Sequence, residues 1–147
     1  MAGRINDTEG DRCDGPDDEA SFALSGAGSC IAEARHRTAA FLTRTEGRHP
    51  SRVPGRVVSL AELVVSELVT NACKYAPGPI QLRLRVAGDA LEVEVWDSDP
   101  VLPTASDADP ERVGRHGLEV VKAVAHLTVL REAVGKRVTA RILLSPA

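Results

Sequence analysis

One apolar segment of the chain carries a carboxylate and a carboxamide four residues apart. The segment reads ELVTNACKY, with Glu67 and Asn71 inside it and Lys74 just behind. A buried carboxylate or amide is costly without a partner, so a partner is expected in the protein or in a bound ligand. An asparagine oxygen at a pocket edge suits Mg²⁺, which takes a few protein oxygens together with water and phosphates. A glutamate one turn earlier can orient or deprotonate a nucleophile beside that metal.

The same residues also have a purely structural interpretation. Residues four apart share one face of a helix, so Glu67, Asn71 and either Lys74 or Tyr75 form a polar line. Glu67 would then pair with Lys74, and Asn71 would cap a loop. Considered alone, this segment favours the structural interpretation, and the choice depends on the other motifs.

A second motif, VEVWDSDP, places Asp97 at the end of an alternating apolar segment. An ionised carboxylate there can accept a hydrogen bond from an exocyclic amine such as that of adenine. The alternative is an ordinary turn aspartate, which is common.

A third motif, GRHGLEVV, places Gly114 and Gly117 before an amphipathic segment that begins at Leu118. Glycines before a helix let backbone N–H groups approach a phosphate, and the helix dipole adds attraction. A single G-x-x-G is weak by itself, since many loops end this way.

The elements that must position these motifs follow from hydrophobic periodicity. A short strand is predicted at 20–25, and the capping-box spacing of Ser59 and Glu62 predicts a helix that starts there and ends near Tyr75, before Ala76-Pro77-Gly78-Pro79. The remaining predicted elements are a helix at Ile31–Thr45, a hairpin of Ile80–Val86 and Leu91–Val95, a loop at 97–116, a helix at Leu118–His126, and strands at Leu127–Arg131 and Val138–Leu144.

This order of elements predicts the fold class. Most predicted strands are adjacent in sequence, and the helices must share one face of the sheet. We therefore expect an α+β two-layer α/β sandwich with a mixed, mostly antiparallel sheet and the helices on one face. Residues 1–19 hold seven acidic and two basic residues and are expected to form a disordered acidic tail, so the domain is expected at 20–147.

Composition excludes several function classes. The net charge of −3 and the 3% aromatic content argue against direct binding of nucleic acid. Cys13, Cys30 and Cys73 form no C-x-x-C pair, which argues against zinc and fits a reducing cytoplasm. No apolar run approaches the roughly 20 residues that a membrane helix needs, so a cytoplasmic protein without a membrane segment is expected.

Taken in order, the motifs resemble those of the GHKL ATP-binding superfamily, whose members share the Bergerat fold. The resemblance covers about residues 20–145 and is strongest with small actinobacterial ATP-binding proteins related to anti-sigma-factor serine kinases. The segments that carry it are VVSELVTNA, GRHGLEVV and VGKRVTARI.

The resemblance implies roles for individual residues. Glu67 would be the general base, Asn71 the Mg²⁺ ligand, and Asp97 the partner of the adenine amino group, partly through ordered water. Lys74 would contact phosphate, and residues 100–113 would form a mobile lid over ATP. The phosphate-side segment would consist of Gly114, Arg115, His116, Gly117 and Leu118. Lys136, before the last strand, is interpreted as a turn residue.

The sequence departs from the family at its first glycine box. The usual pattern is Asp-x-Gly-x-Gly, whereas this chain reads Asp97-Ser98-Asp99-Pro100-Val101. Asp99 and Val101 replace the two glycines, which adds bulk and a negative charge near the expected adenine site. ATP binding is still expected, with a weakened affinity.

The resemblance implies a serine/threonine kinase that phosphorylates an anti-sigma-factor antagonist and sequesters a sigma factor. One alternative is a regulatory interaction module, with or without nucleotide, that lacks kinase activity. A second is the catalytic half of a histidine kinase, which is disfavoured because no dimerisation helix with an acceptor histidine is evident. Relatives of this type often form homodimers, but the sequence leaves the oligomeric state open.

Overall fold

A computed structural model describes residues 18–25, 29–50, 52–75, 78–99 and 113–145. In chain order the elements are β1 (Asp18–Leu24), α1 (Cys30–Arg48), α2 (Gly55–Tyr75), β2 (Ile80–Ala87), β3 (Ala90–Asp97), α3 (Val113–Val124), β4 (His126–Arg131) and β5 (Lys136–Leu143). This is the order of strands and helices that the sequence predicts.

The strands form one sheet in the order β1-β2-β3-β5-β4. All four pairings among the described strands are antiparallel, so the expected mixed character is absent there. Helix α2 packs against α1, α3 and strands β2, β3 and β5. The chain is therefore an α+β two-layer sandwich with α2 at its centre.

The β2–β3 hairpin shows why the sheet has one apolar and one charged face. Apolar residues recur at every second position of β2 and are buried, as in Leu82 and Leu84. On the other face, Arg83 pairs with Glu94 and Arg85 pairs with Glu92. Such partly exposed pairs contribute little to stability, so burial of the apolar face holds the hairpin in register.

The apolar residues of helix α2 pack against the sheet and against the neighbouring helices α1 and α3. Its fully buried residues recur at helical spacing: Val57, Ala61, Val64, Val65, Leu68, Val69 and Ala72. Burying a valine or leucine side chain contributes about 1.5–3 kcal/mol relative to its exposure. This packing fixes the rotation of α2 about its axis, and thus the direction in which its polar line faces.

The predicted start of α2 at the capping box is wrong. The helix begins at Gly55, so Ser59 lies inside it rather than at its N-cap. The first turn is closed by Pro54, whose carbonyl accepts the backbone N–H of Val57 at 2.9 Å. Proline is tolerated directly before the first helical residue, because an N–H at that position has no acceptor within the helix. Ser-x-x-Glu spacing within a helix looks the same in sequence as a true cap.

The predicted start of α3 at Leu118 is also wrong. The helix begins at Val113, so Gly114 and Gly117 lie within its first two turns and not in a preceding loop. A glycine inside a helix costs about 1 kcal/mol relative to alanine, a cost that tertiary packing can offset. Residues 100–112 of the predicted 97–116 loop lie outside the described residues.

The first strand begins two residues earlier than predicted. Asp18 is buried and lies 2.9 Å from Arg48 at the end of α1. Glu19 lies 2.6 Å from Arg83 on β2. These two acidic residues therefore belong to the domain, and the prediction of a disordered tail for the other residues, 1–17, lies outside the described residues.

Gly135 in the β4–β5 turn is expected to be the glycine most sensitive to substitution. Its φ is +82°, and a Cβ there would overlap the backbone carbonyl of Asp97. We expect Gly135→Ala to lower the free energy of unfolding by about 2–5 kcal/mol, from left-handed strain and overpacking. Gly88→Ala is the matched control, because Gly88 has a φ of +62° but open space around it. Urea unfolding at equal m-values measures both, and equal losses would contradict the close approach of Gly135 to Asp97.

Candidate functional site

The predicted functional residues gather at one end of the sandwich. Helix α2 ends at Tyr75, and β2 begins at Ile80. The neighbouring β3 runs back and ends there at Asp97, which is opposite Lys136 at the start of β5. Asn71, one turn before the end of α2, therefore lies at the same end of the domain as Asp97.

Glu67 and Asn71 lie one turn apart on α2. Asn71 is 5% exposed, and Glu67 is half-buried. Within the described ranges, we find no hydrogen bond or ion pair that joins either side chain to the protein. The structural alternative, in which Glu67 pairs with Lys74, is therefore not observed. Lys74 is exposed in the last turn of α2.

Asp97 is buried and its carboxylate is held by two donors. Its Oδ1 accepts hydrogen bonds from the Lys136 ammonium at 2.9 Å and from the backbone N–H of Asp99 at 2.9 Å. The Lys136 ammonium also donates to the backbone carbonyl of Asp99 at 3.1 Å. The lysine thus bridges the carboxylate and the first residues after β3.

The interpretation of Lys136 as a turn residue is wrong. Its side chain is only 2% exposed and forms a buried ion pair with Asp97. Removing one partner of a buried ion pair typically costs about 3–5 kcal/mol, because the other charge is left uncompensated. The pair joins residues 39 positions apart, and the sequence would have revealed it only once β5 had been placed beside β3.

The glycine segment lies near this end through α3. Helix α3 packs against α2, and it follows the segment that leaves β3 at Asp97. Its other end leads to His126, which is opposite Arg141 at the far end of β5. The N-terminal turns of α3, with the backbones of Gly114 and Gly117, are therefore directed towards the Asp97 end.

The side chains of Arg115, His116 and Leu118 are outside the described part of the structure, as is the predicted lid except for Val113, which begins α3.

Two cysteines link the end of α2 to the start of α1. The Cys73 sulfur is 3.0 Å from that of Cys30 at the start of α1, and both are free thiols. Burial, together with the hydrogen bond and charge interaction with Cys30, raises the pKa of Cys73 to about 12. Because the thiolate is the reactive form, Cys73 should be nearly inert at neutral pH.

This inertness can be measured by timed alkylation with iodoacetamide at pH 7.5, read by peptide mass spectrometry in a Cys13→Ala background. We expect Cys73 to react markedly more slowly than an ordinary thiol, because its pKa is raised to about 12. Cys30→Ala removes the two contributions of Cys30 and should speed the reaction. Alkylation of Cys73 at the rate of a free thiol would contradict this assignment.

A cleft of about 690 Å³ lies at the opposite end of the domain. Its lining includes four basic residues: Arg56, Lys122, His126 and Arg141. Among the predicted site residues whose side chains are described, none lines it. The cleft therefore does not coincide with the chemistry of α2 and Asp97, and cavity size alone does not identify the site.

The protein oxygens at the Asp97 end suit a metal ion whose coordination shell is completed mainly by a bound phosphate ligand. Within the described residues, no three histidine, cysteine, aspartate or glutamate side chains cluster to form a metal cage. Mg²⁺ commonly takes one or two protein oxygens and completes its shell with phosphates and water. The Asn71 oxygen can supply such a ligand.

No helix in the described ranges is long and apolar enough to cross a membrane.

Comparison with known families identifies one match. The family model described as "Histidine kinase-like ATPase domain" matches residues 29–142. This range includes α2, Asp97, α3 and nearly all of β5. Comparison with curated proteins gives no match.

Three solved structures that resemble this chain are histidine kinases or their domains. The Erythrobacter litoralis EL346 blue-light activated histidine kinase is 32% identical with a TM-score of 0.50, over 63% of this chain and 32% of that chain. The histidine kinase domain of the same protein is 26% identical with a TM-score of 0.51, over 78% of this chain and 61% of that one. Acinetobacter baumannii histidine kinase AdeS, 15% identical with a TM-score of 0.51 over 86% of this chain and 68% of that chain, shares the fold. The present chain thus spans about a third of the first of these proteins.

Proposed function

Because the chain belongs to the histidine kinase-like ATPase domain family, we propose that it is a regulatory protein that binds Mg-ATP where α2 meets Asp97. The observation that carries the proposal is the pair Glu67 and Asn71, which lie one turn apart. Asn71 is buried, and neither side chain has a hydrogen-bonding partner among the described residues. No polar atom of either side chain is both buried and unpartnered, so both polar ends reach the surface of α2, where a magnesium-bound triphosphate would engage them.

Each site residue has a distinct proposed role. The Asn71 oxygen would ligate Mg²⁺, and the Asp97 carboxylate would accept a hydrogen bond from the adenine amino group. Lys74, exposed on the last turn of α2, would contact a phosphate. The phosphate-side segment would be Gly114, Arg115, His116, Gly117 and Leu118, at the start of α3. Helix N-termini attract anions because their backbone N–H groups and dipole point outwards.

The proposed activity is that of a serine/threonine kinase. Bound ATP would supply its γ-phosphoryl group, the bond from the γ-phosphorus to the bridging oxygen would break with ADP as the leaving group, and Mg²⁺ would neutralise charge on the phosphates. Glu67 would take the proton of a serine or threonine hydroxyl on the partner, whose oxygen receives the phosphoryl group. Positioning of the two reactants accounts for most of such catalysis, since little covalent chemistry falls to the protein.

The proposed partners are an anti-sigma-factor antagonist, as the substrate, and a sigma factor that is sequestered when the antagonist is phosphorylated. Support comes from the segments VVSELVTNA, GRHGLEVV and VGKRVTARI, which resemble the anti-sigma-factor kinases and their actinobacterial relatives. We further propose a cytoplasmic location and a homodimer, as is common in proteins of this type.

A second candidate function is a regulatory interaction module without kinase activity. One observation favours it: Asp97 Oδ1 is already engaged by Lys136 and by the N–H of Asp99. In addition, Asp99 and Val101 stand where the family has glycines. Both features reduce the room and the free lone pairs for adenine.

The two functions can be separated by a transfer assay. The protein would be used to capture small partners from lysate of the source organism, and the captured fraction would be incubated with γ-labelled ATP and Mg²⁺. The kinase function predicts label on a partner serine or threonine, and no label when Mg²⁺ is removed by chelation. Nucleotide binding without transfer would favour the interaction module, whereas failure to bind nucleotide would overturn the Mg-ATP proposal.

A further inference from the structure

Lys136 is a buried charge that the proposed kinase chemistry does not use. Its ammonium lies 2.9 Å from Asp97 Oδ1, and the two side chains are each 2% exposed. Neighbouring Gly135 is packed so closely on the backbone of Asp97 that a Cβ would not fit. The position of the lysine is therefore fixed by the turn that precedes β5.

The ion pair fixes the direction in which Asp97 presents its carboxylate. A carboxylate accepts hydrogen bonds and donates none. Its Oδ1 is held by the Lys136 ammonium and by the N–H of Asp99, each at 2.9 Å. These two donors orient the carboxylate, so that its acceptor oxygens keep a fixed position at the end of β3.

Lys136 also organises the segment that replaces the glycine box. Its ammonium donates to the carbonyl of Asp99, while the N–H of Asp99 donates to Asp97 Oδ1. Both hydrogen bonds fix the path of the chain directly after β3. The lysine thus holds in place a segment whose first expected glycine is occupied by Asp99.

We propose that Lys136 is a positioning residue that sets nucleobase selectivity by holding Asp97 as an oriented hydrogen-bond acceptor. A base with an exocyclic amine, such as adenine, is then favoured over a base with a carbonyl at the same ring position, such as hypoxanthine. The inference rests on the proposed function, because it assigns Asp97 to the nucleobase.

The test compares Mg-ATP with Mg-ITP, which differ at this ring position, by calorimetry on the full chain. The wild type should bind ATP at least about 10-fold more tightly than ITP, the discrimination expected when one buried hydrogen bond is mismatched. Lys136→Met removes the charge at similar length, and the ratio should fall by about 10-fold, towards unity. Lys136→Arg should retain most of the selectivity. Lys122→Met, an exposed lysine on α3, is the matched control and should leave the ratio unchanged.

A purely structural role gives a different result. If Lys136→Met weakens ATP and ITP binding equally, the ratio stays constant and the inference is overturned. Equal affinity of the wild type for ATP and ITP overturns it as well. If Lys136→Met does not fold, Lys136→Ala, which leaves Asp97 in place and admits water beside it, is used instead, and the same fall in the ratio is expected.

A nucleotide-free measurement separates this inference from the proposed function. Amide hydrogen exchange of Asp99 reports the bond to Asp97 Oδ1, and Lys136→Met should accelerate it at least about 10-fold while distant sheet amides keep their protection. Unchanged exchange at Asp99 would show that the lysine does not organise the segment. A wild type that binds neither nucleotide but shows this change would leave the positioning role intact and overturn the Mg-ATP proposal alone.

Discussion

Asn71→Ala is expected to weaken Mg-ATP binding by about 100-fold or more while leaving the fold intact. Loss of a group that merely supports a metal ligand costs 10–100-fold in metal affinity, so loss of the ligand itself should cost at least as much. We find no described protein group that hydrogen-bonds the Asn71 amide, so its removal leaves no orphaned partner. Titration calorimetry measures the affinity, and thermal unfolding measures the stability.

Thr70→Ala is the matched control for Asn71→Ala. Thr70 is half-buried on the same helix but lies about 100° around the axis from its neighbour. The Thr70→Ala variant should bind Mg-ATP with the affinity of the wild type. A strong loss of stability in Asn71→Ala would instead indicate that the amide is satisfied inside the protein. Unchanged Mg-ATP affinity in that variant would rule out the assigned ligand.

Glu67→Gln is expected to abolish phosphoryl transfer while preserving nucleotide binding. The substitution keeps the shape of the side chain but removes its capacity to accept a proton, and positioned general bases contribute about 10²–10⁴-fold. We therefore expect the single-turnover transfer rate to fall by about that factor. Calorimetry with Mg-ATP should give nearly the wild-type affinity.

Glu62→Gln tests whether the effect is specific to Glu67. Glu62 is half-buried on α2 like Glu67. It lies five residues before Glu67 and therefore faces another direction around the helix. The Glu62→Gln variant should transfer phosphate at the wild-type rate. If Glu67→Gln binds nucleotide and transfers phosphate normally, Glu67 is not the general base.

The parts of the fold that the sequence predicts well are governed by local rules. The β2–β3 hairpin follows from the alternation of apolar and polar residues in its two strands, and the structure pairs these strands as predicted. The end of α2 at Tyr75 follows from the proline and glycine that come next. Both depend on residues only a few positions apart.

The errors occur where local patterns are ambiguous. Ser59 and Glu62 have the spacing of a cap although α2 begins earlier, at Gly55. The glycines of GRHGLEVV indicate a loop although α3 begins at Val113, because tertiary packing overrides helix propensity. Neither outcome can be read from a single short window of sequence.

The candidate site is predicted only in part, because one of its contacts joins residues that are far apart in sequence. The spacing of Glu67 and Asn71 is visible in the sequence, and the structure places both on one helix; their chemical roles stay predictions. The partner of Asp97 is Lys136, on a strand that becomes its neighbour only through the β3–β5 pairing. That contact is long-range and leaves no local signature.

Calorimetric titration of the wild-type chain with ATP, in the presence and absence of Mg²⁺, tests the central claim most directly. If Glu67 and Asn71 are completed by a magnesium-bound triphosphate, the titration will show binding at a single site that is markedly tighter with Mg²⁺. Absence of both binding heat and a nucleotide-dependent shift of Tm would contradict the assignment of this end of the sandwich to ATP.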